Sequence, residues 1–380
     1  MANEVEVYVP TQISNQLVVN VYGIINNGYG LKRTLVTPLI TSRKYFRSAI
    51  TLDSSNSLYV CTLSQPSNRG GEVAVYSAGA GGNVKPRQTL GGNISGINGP
   101  LSLAVDRAGQ LYVLNCLDPA LKGDVGTGLI TAYNVNQASG ELNARPHFSL
   151  SVGQTADPPT DRIAVDNNNY LYHSIYASEV PGVINIYAPS SLTPTTSIQV
   201  PGPVNMAFDS DNNLYVVSED STNQSGHSIL VFAFKGYGAA PLLVGTIPGG
   251  PGILWGVAVD ASGLVYVGGV GQGGVAVYSK GKNWDFQPVA TINDVNDGYD
   301  VAVSKAPIVA VDPCLTILQR LDAELHSLGA IPAAQAASWK SALLNCRNLG
   351  KITEAEYEAA IQAIDSPTRK KLYAAGKQRR

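Results

Sequence analysis

Residues 103–113 read LAVDRAGQLYV, two short apolar runs separated by a turn. Apolar, β-rich runs on both sides of a tight turn predict a β-hairpin. Asp106 opens the turn, where its carboxylate can accept hydrogen bonds from turn amides. Ala104 leaves room for close packing of neighbouring elements. Tyr112 supplies a large apolar surface and a hydroxyl that can reach water. The stretch is therefore predicted to be a hairpin whose turn is held by its own aspartate.

The same pattern recurs along the chain. The aspartate position falls at residues 53, 106, 166, 209, 260 and 304, and serine occupies the last of these. An irregular repeat of about 50 residues is typical of propeller blades with loops of variable length, whereas a solenoid keeps a fixed period. The sequence therefore predicts six blades.

Third and fourth β-rich runs follow the first five copies, and four strands make one propeller blade. The sixth copy offers only two runs, Val301–Ser304 and Ile308–Val311, before Pro313. The N-terminus supplies matches to the missing third and fourth strands at Val19–Tyr22 and Leu31–Leu35. We expect the two chain ends to complete one blade, which closes the ring and removes an open sheet edge.

The predicted fold is thus all-β, a six-bladed β-propeller over residues 1–312. Its repeat resembles the NHL family of propellers, whose units read Gly-apolar-Ala-apolar-Asp, then Gly-Asn-Leu-Tyr-Val-Ala-Asp. The resemblance covers residues 17–312, but every copy lacks the second aspartate of the family pattern. It implies the architecture and leaves the function open, because such propellers serve as binding platforms, scaffolds and enzymes.

The apolar period changes from 2 to about 3.6 after Pro313, which predicts a small α-helical module over residues 313–380. Thr353 and Glu356 form a capping box at the start of its third helix. The stretch 349–357 faintly resembles short C-terminal oligomerisation helices of the SHOCT type. Three helical stripes carry the expected core: Leu318, Leu321, Leu325 and Leu328; Trp339, Leu343 and Cys346; Tyr357, Ile361 and Ile364.

Cys314 and Cys346 are equally distant in sequence from residue 330, the predicted turn between the first two helices. In an antiparallel helical hairpin such residues face each other, so a disulfide between them is predicted. The alternative is a pair of reduced thiols in a small core. A disulfide would indicate an oxidising compartment. Cys61 and Cys116 are expected to be buried thiols.

The composition limits the class of partner. Charged residues make up 14% of the 380 residues, the net charge is −2 and the isoelectric point is about 6.1. A nucleic-acid binder usually needs a basic face, so none is expected. No apolar run reaches the ~20 residues that span a bilayer. The N-terminus lacks the apolar segment of a signal peptide. The neutral polar surface favours a virion or extracellular assembly over the cytoplasm.

The candidate ligand site is the mouth of the central channel, four and five residues before each aspartate position. The residues predicted to line it are Asp161, Arg162, Asn205, Trp255, Tyr299 and Asp300. Gluconolactonase-type hydrolases, which these positions resemble, place a Glu, an Asn and an Asp around one metal. Asp161, Asn205 and Asp300 are present, but the glutamate is missing, so no metal, cofactor or catalytic residue is predicted. The repeated aspartates are interpreted as turn caps, because one per blade cannot form one active site.

These observations favour a non-enzymatic propeller that binds a protein partner or self-associates through its C-terminal helices. A virion or extracellular structural component is one form of that prediction. A metal-dependent sugar-lactone hydrolase is the first alternative. A carbohydrate-binding propeller is the second, favoured if Trp255 and Tyr299 are exposed side by side. The four histidines show no convergence in sequence, which disfavours a lyase of the streptogramin type.

Overall fold

We analysed a computed structural model of the chain. It describes residues 5–13, 16–25, 28–40, 48–62, 71–92, 94–117, 127–136, 140–154, 161–176, 181–219, 226–234, 241–249, 253–270, 274–293, 295, 300–304, 321, 336, 339–340, 343–344, 346–347 and 352–365. The chain divides into two compact units. The first comprises Met1–Asn136 and Glu141–Pro307, and the second is largely Ile308–Arg380.

The first unit is built from strands. In chain order they are β1 (Val7–Ile13), β2 (Gln16–Ile25), β3 (Gly28–Ile40), β4 (Ser48–Leu52), β5 (Leu58–Thr62), β6 (Glu72–Tyr76), β7 (Gln88–Gly91), β8 (Pro100–Val105), β9 (Leu111–Leu117), β10 (Thr127–Tyr133), β11 (Phe148–Gln154), β12 (Ile163–Val165), β13 (Leu171–Ile175), β14 (Gly182–Tyr187), β15 (Thr196–Val200), β16 (Pro203–Phe208), β17 (Leu214–Glu219), β18 (His227–Ala233), β19 (Leu242–Pro248), β20 (Ile253–Val259), β21 (Val265–Val270), β22 (Val275–Lys280), β23 (Phe286–Ile292) and β24 (Ala302–Val303). A short 3₁₀ helix, Lys282–Trp284, precedes β23.

The strands form six antiparallel sheets of four, as predicted for a six-bladed propeller. Blades 1 to 5 are β4–β7, β8–β11, β12–β15, β16–β19 and β20–β23, and blade 6 has the order β24-β1-β2-β3. The innermost strands β4, β8, β12, β16, β20 and β24 each contact the next, and β24 contacts β4. This closes the ring and places blade 3 opposite blade 6.

A separate hydrophobic cluster fills each of the six gaps between consecutive blades. The tyrosine of the repeat is buried in these gaps at Tyr59, Tyr112, Tyr172, Tyr215 and Tyr266. Its partner across the hairpin in blades 2 to 5 is the alanine of the repeat, as in the pair Ala104 and Tyr112. Small and large residues therefore alternate at the blade interfaces, as close packing requires.

The repeated aspartates hold the hairpin turns, as the sequence indicates. Asp260 Oδ1 accepts hydrogen bonds from the Ser262 and Leu264 amides at 2.8 and 3.0 Å. Asp260 Oδ2 accepts one from the Tyr266 hydroxyl at 3.0 Å. The amide contacts recur in the other four turns. The tyrosine hydroxyl was expected to reach water. In four blades it instead donates to the aspartate of its own turn.

Blade 6 differs from the prediction in the identity of its second strand. The predicted third and fourth strands lie within β2 and β3, but the second strand is β1. Tyr8 pairs with Ala302 and Val7 with Val303, so β1 occupies the place that was predicted for residues 308–311. Those four residues lie outside the described part of the chain. The N-terminus thus contributes three strands to the closing blade and the C-terminal end of the propeller contributes one.

The break in blade 6 falls at the hairpin turn. The Ser304 amide donates to the Glu6 carbonyl at 2.8 Å, and the Glu6 amide donates to Ser304 Oγ at 2.8 Å. In blade 1, the Asp53 amide donates to the Ser57 carbonyl and the Ser57 amide donates to Asp53 Oδ1. Blade 6 therefore forms the same two hydrogen bonds without a continuous chain between the two strands.

The second unit contains one fully described helix, α1 (Glu354–Asp365). The predicted capping box is present: the Thr353 amide donates to Glu356 Oε2 at 2.7 Å and the Glu356 amide donates to Thr353 Oγ1 at 3.2 Å. Within the described ranges, no helix is long and apolar enough to cross a membrane. A hydrophobic cluster joins residues of the three predicted stripes, namely Leu321, Trp339, Leu343, Cys346, Tyr357, Ile361 and Ile364.

The cysteines are distributed as expected where the structure describes them. Cys61 and Cys116 are buried thiols. Cys346 is buried and disulfide-bonded. Cys314 lies outside the described residues, so the pair Cys314–Cys346 stays a prediction.

Candidate functional site

Asp300 lies two residues before β24, the innermost strand of blade 6, and is 8% exposed. Its Oδ2 accepts a hydrogen bond from the Ile50 amide of blade 1 at 3.1 Å. Its Oδ1 accepts hydrogen bonds from the Val301 amide at 3.0 Å and from Asn205 Nδ2 of blade 4 at 3.2 Å. Both carboxylate oxygens are therefore used to connect blade 6 with blades 1 and 4.

Asn205 extends this connection toward blade 5. Its Nδ2 also donates to the Trp255 carbonyl at 2.9 Å, and its Oδ1 accepts from the Met206 amide at 2.7 Å. At Gly256 a Cβ atom would lie 2.9 Å from backbone atoms of Asp300, so glycine permits the close approach of blades 5 and 6. The predicted residues Asn205, Trp255 and Asp300 thus come together, and they do so as a link between blades.

Arg162 of blade 3 is buried and interacts electrostatically with Asp300, which belongs to the opposite blade. Burial lowers the pKa of the Arg162 guanidinium, and the Asp300, Cys61 and Asp161 side chains oppose this shift. Burial raises the pKa of the Asp300 carboxyl, and Arg162 with the amide donors opposes that shift. Arg162 Nη1 donates to the Asp161 carbonyl at 3.0 Å. These charges meet across the axis of the ring.

Asp161 and His173 form a second buried pair beside Arg162. Both side chains are fully buried, and His173 Nε2 lies 3.7 Å from Asp161 Oδ2. Asp161 Oδ1 accepts a hydrogen bond from the Tyr176 amide at 3.2 Å. Asp161 Oδ2, Arg162 Nε and both ring nitrogens of His173 have no hydrogen-bond partner among the described residues. These buried side chains therefore retain unused donors and acceptors.

Sequence reasoning did not select His173, although a signal for it exists. The residue after the repeat tyrosine is valine at positions 60, 113, 216 and 267 and histidine at 173. A polar residue at a position that is otherwise apolar in the repeat indicates a local departure from simple core packing. The other two described histidines lie elsewhere: His147 is exposed, and His227 begins β18. His326 lies outside the described residues.

Tyr299 also lies outside the described residues. Trp255 is partly buried against the cluster between blades 4 and 5. The side-by-side exposure of these two aromatic residues, which would favour a carbohydrate-binding propeller, therefore stays a prediction.

The residues do not fit the metal of gluconolactonase-type hydrolases. Three protein donors already bond the Asp300 carboxylate, and Asn205 Oδ1 accepts from the Met206 amide, so little acceptor capacity remains for a metal ion. The Arg162 guanidinium beside them adds an unfavourable positive charge. Among the residues that the structure describes, no group of three or more His, Cys, Asp or Glu side chains could hold a metal ion.

Cys61 lies near Arg162 but is not an activated nucleophile. Burial raises the pKa of its thiol to about 12, and the Ala49 backbone and Arg162 only partly oppose this. The Cys61 thiol donates a weak hydrogen bond to the Pro100 carbonyl at 3.7 Å. A thiol in this state is inert, because the thiolate is the reactive form.

Comparison with known proteins supports the fold alone. No protein family and no curated protein matches the chain in sequence. Solved structures match in shape. A 6-phosphogluconolactonase candidate from Bacteroides uniformis is 11% identical, with a TM-score of 0.52 over 79% of this chain and 99% of that one. A protein of unknown function from Bacteroides caccae is 10% identical, with a TM-score of 0.53 over 79% of this chain and 99% of that one.

The periplasmic gluconolactonase PpgL of Pseudomonas aeruginosa is 17% identical, with a TM-score of 0.50 over 77% of this chain and 84% of that one. Together with the six sheets, these likenesses identify the chain as a six-bladed β-propeller. Membership of the NHL family is not confirmed, since the matching propellers are of the 6-phosphogluconolactonase-like kind. At these identities the likeness carries no activity from one protein to another.

Proposed function

We propose that this chain is a non-catalytic propeller that builds an assembly through its C-terminal helical unit. The observation that carries the proposal is the bonding of Asp300 and Asn205. Catalytic carboxylates need an unoccupied oxygen that can reach a substrate, a proton or a metal. Here the polar groups of Asp300 and Asn205 connect blades 1, 4, 5 and 6.

The helical unit has the properties of a docking element. Leu321, Leu343 and Ala360 are fully buried in a cluster of helical residues, so this unit has a core of its own. Leu344 is 38% exposed next to the buried Leu343. We assign Leu344 to the surface of this unit that contacts the partner. The partner we propose is a second copy of this chain.

Light scattering coupled to size-exclusion chromatography tests self-association. We expect the full chain to elute as an oligomer, and a chain lacking residues 313–380 to elute as a monomer. Leu344→Glu should shift the full chain toward the monomer, because a charge at an apolar interface is costly. A monomer for the full chain at micromolar concentration contradicts the proposal.

A matched control separates a specific interface from general loss of apolar surface. Leu192 is 64% exposed on the propeller, in the connection between β14 and β15. Leu192→Glu should leave the oligomer intact. An equal shift in both variants would show that the helical unit has no special role.

The second candidate function is hydrolysis of a sugar lactone. It is favoured by the carboxylate of Asp161 and the imidazole of His173, which keep unused acceptors, as a general base requires. The names of two of the structural neighbours agree with this chemistry. An assay of D-glucono-1,5-lactone hydrolysis, which monitors the proton released by the acid product, tests this candidate. A rate that Asp161→Asn abolishes would favour this candidate over the non-catalytic one.

A further inference from the structure

The gap between blades 2 and 3 differs from the other gaps that contain a repeat tyrosine. That tyrosine is 0–1% exposed in blades 1, 3, 4 and 5, whereas Tyr112 of blade 2 is 7% exposed. In those four blades the tyrosine hydroxyl donates to the aspartate of its turn. The Tyr112 hydroxyl makes no hydrogen bond to a residue that the structure describes. Tyr112 is therefore the repeat tyrosine that keeps a contact to offer.

In the next three gaps of the ring, an aromatic side chain of the following blade contacts the repeat tyrosine. Tyr172 makes edge-to-face contacts with Phe208 and Phe234 of blade 4, with ring centroids 4.7 and 6.0 Å apart. The repeat tyrosines of blades 4 and 5 make one such contact each, both at 6.2 Å. Among the described residues, no ring contact of this kind involves Tyr112.

The strand register shows which residues replace the covering rings beside Tyr112. Val165 of blade 3 has the position that Phe208 has in blade 4. Pro189 has the position of Phe234, two residues after the residue that pairs with the leucine of the repeat. Both side chains are smaller than phenylalanine, so the ring of Tyr112 is left without an aromatic cover.

A groove lies at this place, and both Tyr112 and Pro189 line it. Its volume is about 290 Å³, including the solvent at its mouth. Phe148 and Tyr187 add aromatic surface, and the neutral polar residues that line it are Gln110, His147, Asn169, Ser190 and Ser191. None of its described lining residues is Lys, Arg, Asp or Glu. His147, Pro189 and Ser190 are exposed, so the groove is open to solvent.

We propose that this groove binds a small neutral aromatic molecule that carries a hydroxyl group. Its ring takes the place beside Tyr112 that Phe234 has beside Tyr172, in an edge-to-face contact. Its hydroxyl exchanges hydrogen bonds with the Tyr112 hydroxyl and with the Gln110 amide, which both donate and accept. A neutral ligand is favoured because the lining offers no opposite charge to an ion that leaves water. The proposal is independent of self-association and of lactone hydrolysis.

Fluorine-19 NMR of 4-fluorophenol in the presence of the full chain tests the site. We expect saturable broadening of the ligand resonance, which phenol reverses by competition. Pro189→Phe installs the residue of blade 4 and should weaken binding by about tenfold or more, because its ring fills the groove. Pro181→Phe makes the same exchange at an exposed residue just before β14 and should bind like the unaltered protein.

Tyr112→Phe is a second variant, which should fold because the hydroxyl it removes has no hydrogen bond within the described part of the chain. It should weaken 4-fluorophenol binding by about two- to tenfold, the effect of one hydrogen bond. Cyclohexanol, which has the hydroxyl but no aromatic ring, should compete poorly. The proposal is overturned by absence of saturable binding, by unchanged binding in a folded Pro189→Phe or in Tyr112→Phe, by an equal loss in Pro181→Phe, or by cyclohexanol competing as well as phenol.

Discussion

At the scale of single residues, the repeat aspartates have a structural role that their number already indicates. Each is buried, at 9% exposure or less, and each accepts hydrogen bonds from the amides of its own turn. The same carboxylate bonds the tyrosine that fills the gap between blades, as Asp260 bonds Tyr266. Turn geometry and blade packing are therefore coupled through one side chain.

Asp260→Ala should destabilise the propeller by about 2–3 kcal/mol, because buried amide and hydroxyl donors lose a charged acceptor. Asp260→Asn should cost less, since it keeps an acceptor for the amides. Urea denaturation followed by tryptophan fluorescence measures the difference. Asp211 is exposed in the turn of blade 4, and Asp211→Ala is the control. Equal losses for Asp260→Ala and Asp211→Ala would contradict this role.

The Asp300 carboxyl should make the stability of the fold depend on pH. Burial raises the pKa of its carboxyl in the folded state, so the protonated form is favoured by folding. The stabilising contribution of protonation is complete below the ordinary pKa of 3.8 and is lost as the pH rises through the folded value. The asparagine of Asp300→Asn does not ionise, so this variant does not lose that stability as the pH rises.

We therefore expect the thermal midpoint of Asp300→Asn, relative to the unaltered protein, to rise between pH 4 and pH 7. Scanning calorimetry of both proteins at the two pH values measures this. A relative midpoint that falls over this interval would show that the interaction with Arg162 outweighs burial.

At the scale of elements, the closing blade is stabilised by interactions that replace a covalent turn. Arg33 on β3 donates from Nη1 and Nη2 to the two carboxylate oxygens of Glu6, at 2.6 and 2.7 Å. The Tyr8 hydroxyl donates to the same carboxylate at 2.9 Å. On the other side, the edge of β3 bonds the connection in blade 1, where the Val36 amide donates to the Gly82 carbonyl.

The Glu6 carboxylate should make closure sensitive to acid. The Arg33 hydrogen bonds lower the pKa of Glu6 to about 2, although burial opposes the shift. A lowered folded pKa gives stability that is present above the ordinary value of 4.5 and lost as the pH falls toward 2. Between pH 5 and pH 2.5, Glu6→Gln should therefore lose less thermal stability than the unaltered protein.

The same scans with Glu72→Gln serve as a control, since Glu72 is exposed on β6. That variant should follow the unaltered protein at both pH values. If Glu6→Gln shows the full acid sensitivity, the ion pair with Arg33 does not contribute to closure.

The second strand of the closing blade is recognisable in the sequence of β1, although the spacing of the repeat favoured residues 308–311 instead. Val7-Tyr8-Val9 matches the Leu-Tyr-Val motif of the other blades, and Tyr8 pairs with Ala302 as the repeat requires. Residues 308–311 are β-rich and follow Val303 closely, so local pattern favoured them. Pairing between chain ends is non-local, and local propensity does not choose between two β-rich runs.

At the scale of the whole molecule, the ring was predictable because the blades repeat the same pattern of a hairpin with a polar residue in its turn. The site was predictable in part. Counting back from each aspartate selected Asp161, Arg162, Asn205 and Asp300, and the structure joins Asn205 to Asp300 by a hydrogen bond and Arg162 to both aspartates by charge. Their bonding could not be predicted, since it depends on distances between blades 3, 4 and 6 that no single repeat encodes.

The central claim is that β1 lies between β24 and β2 and closes the propeller. Facing residues of adjacent antiparallel strands have Cα atoms about 4.5–5.5 Å apart, within the range of a disulfide. We therefore expect the variant Val7→Cys with Val303→Cys to form a cross-link on mild oxidation, identified by peptide mass spectrometry, and to unfold at a higher temperature than its reduced form. A folded variant in which residues 7 and 303 never cross-link would contradict the closure described here.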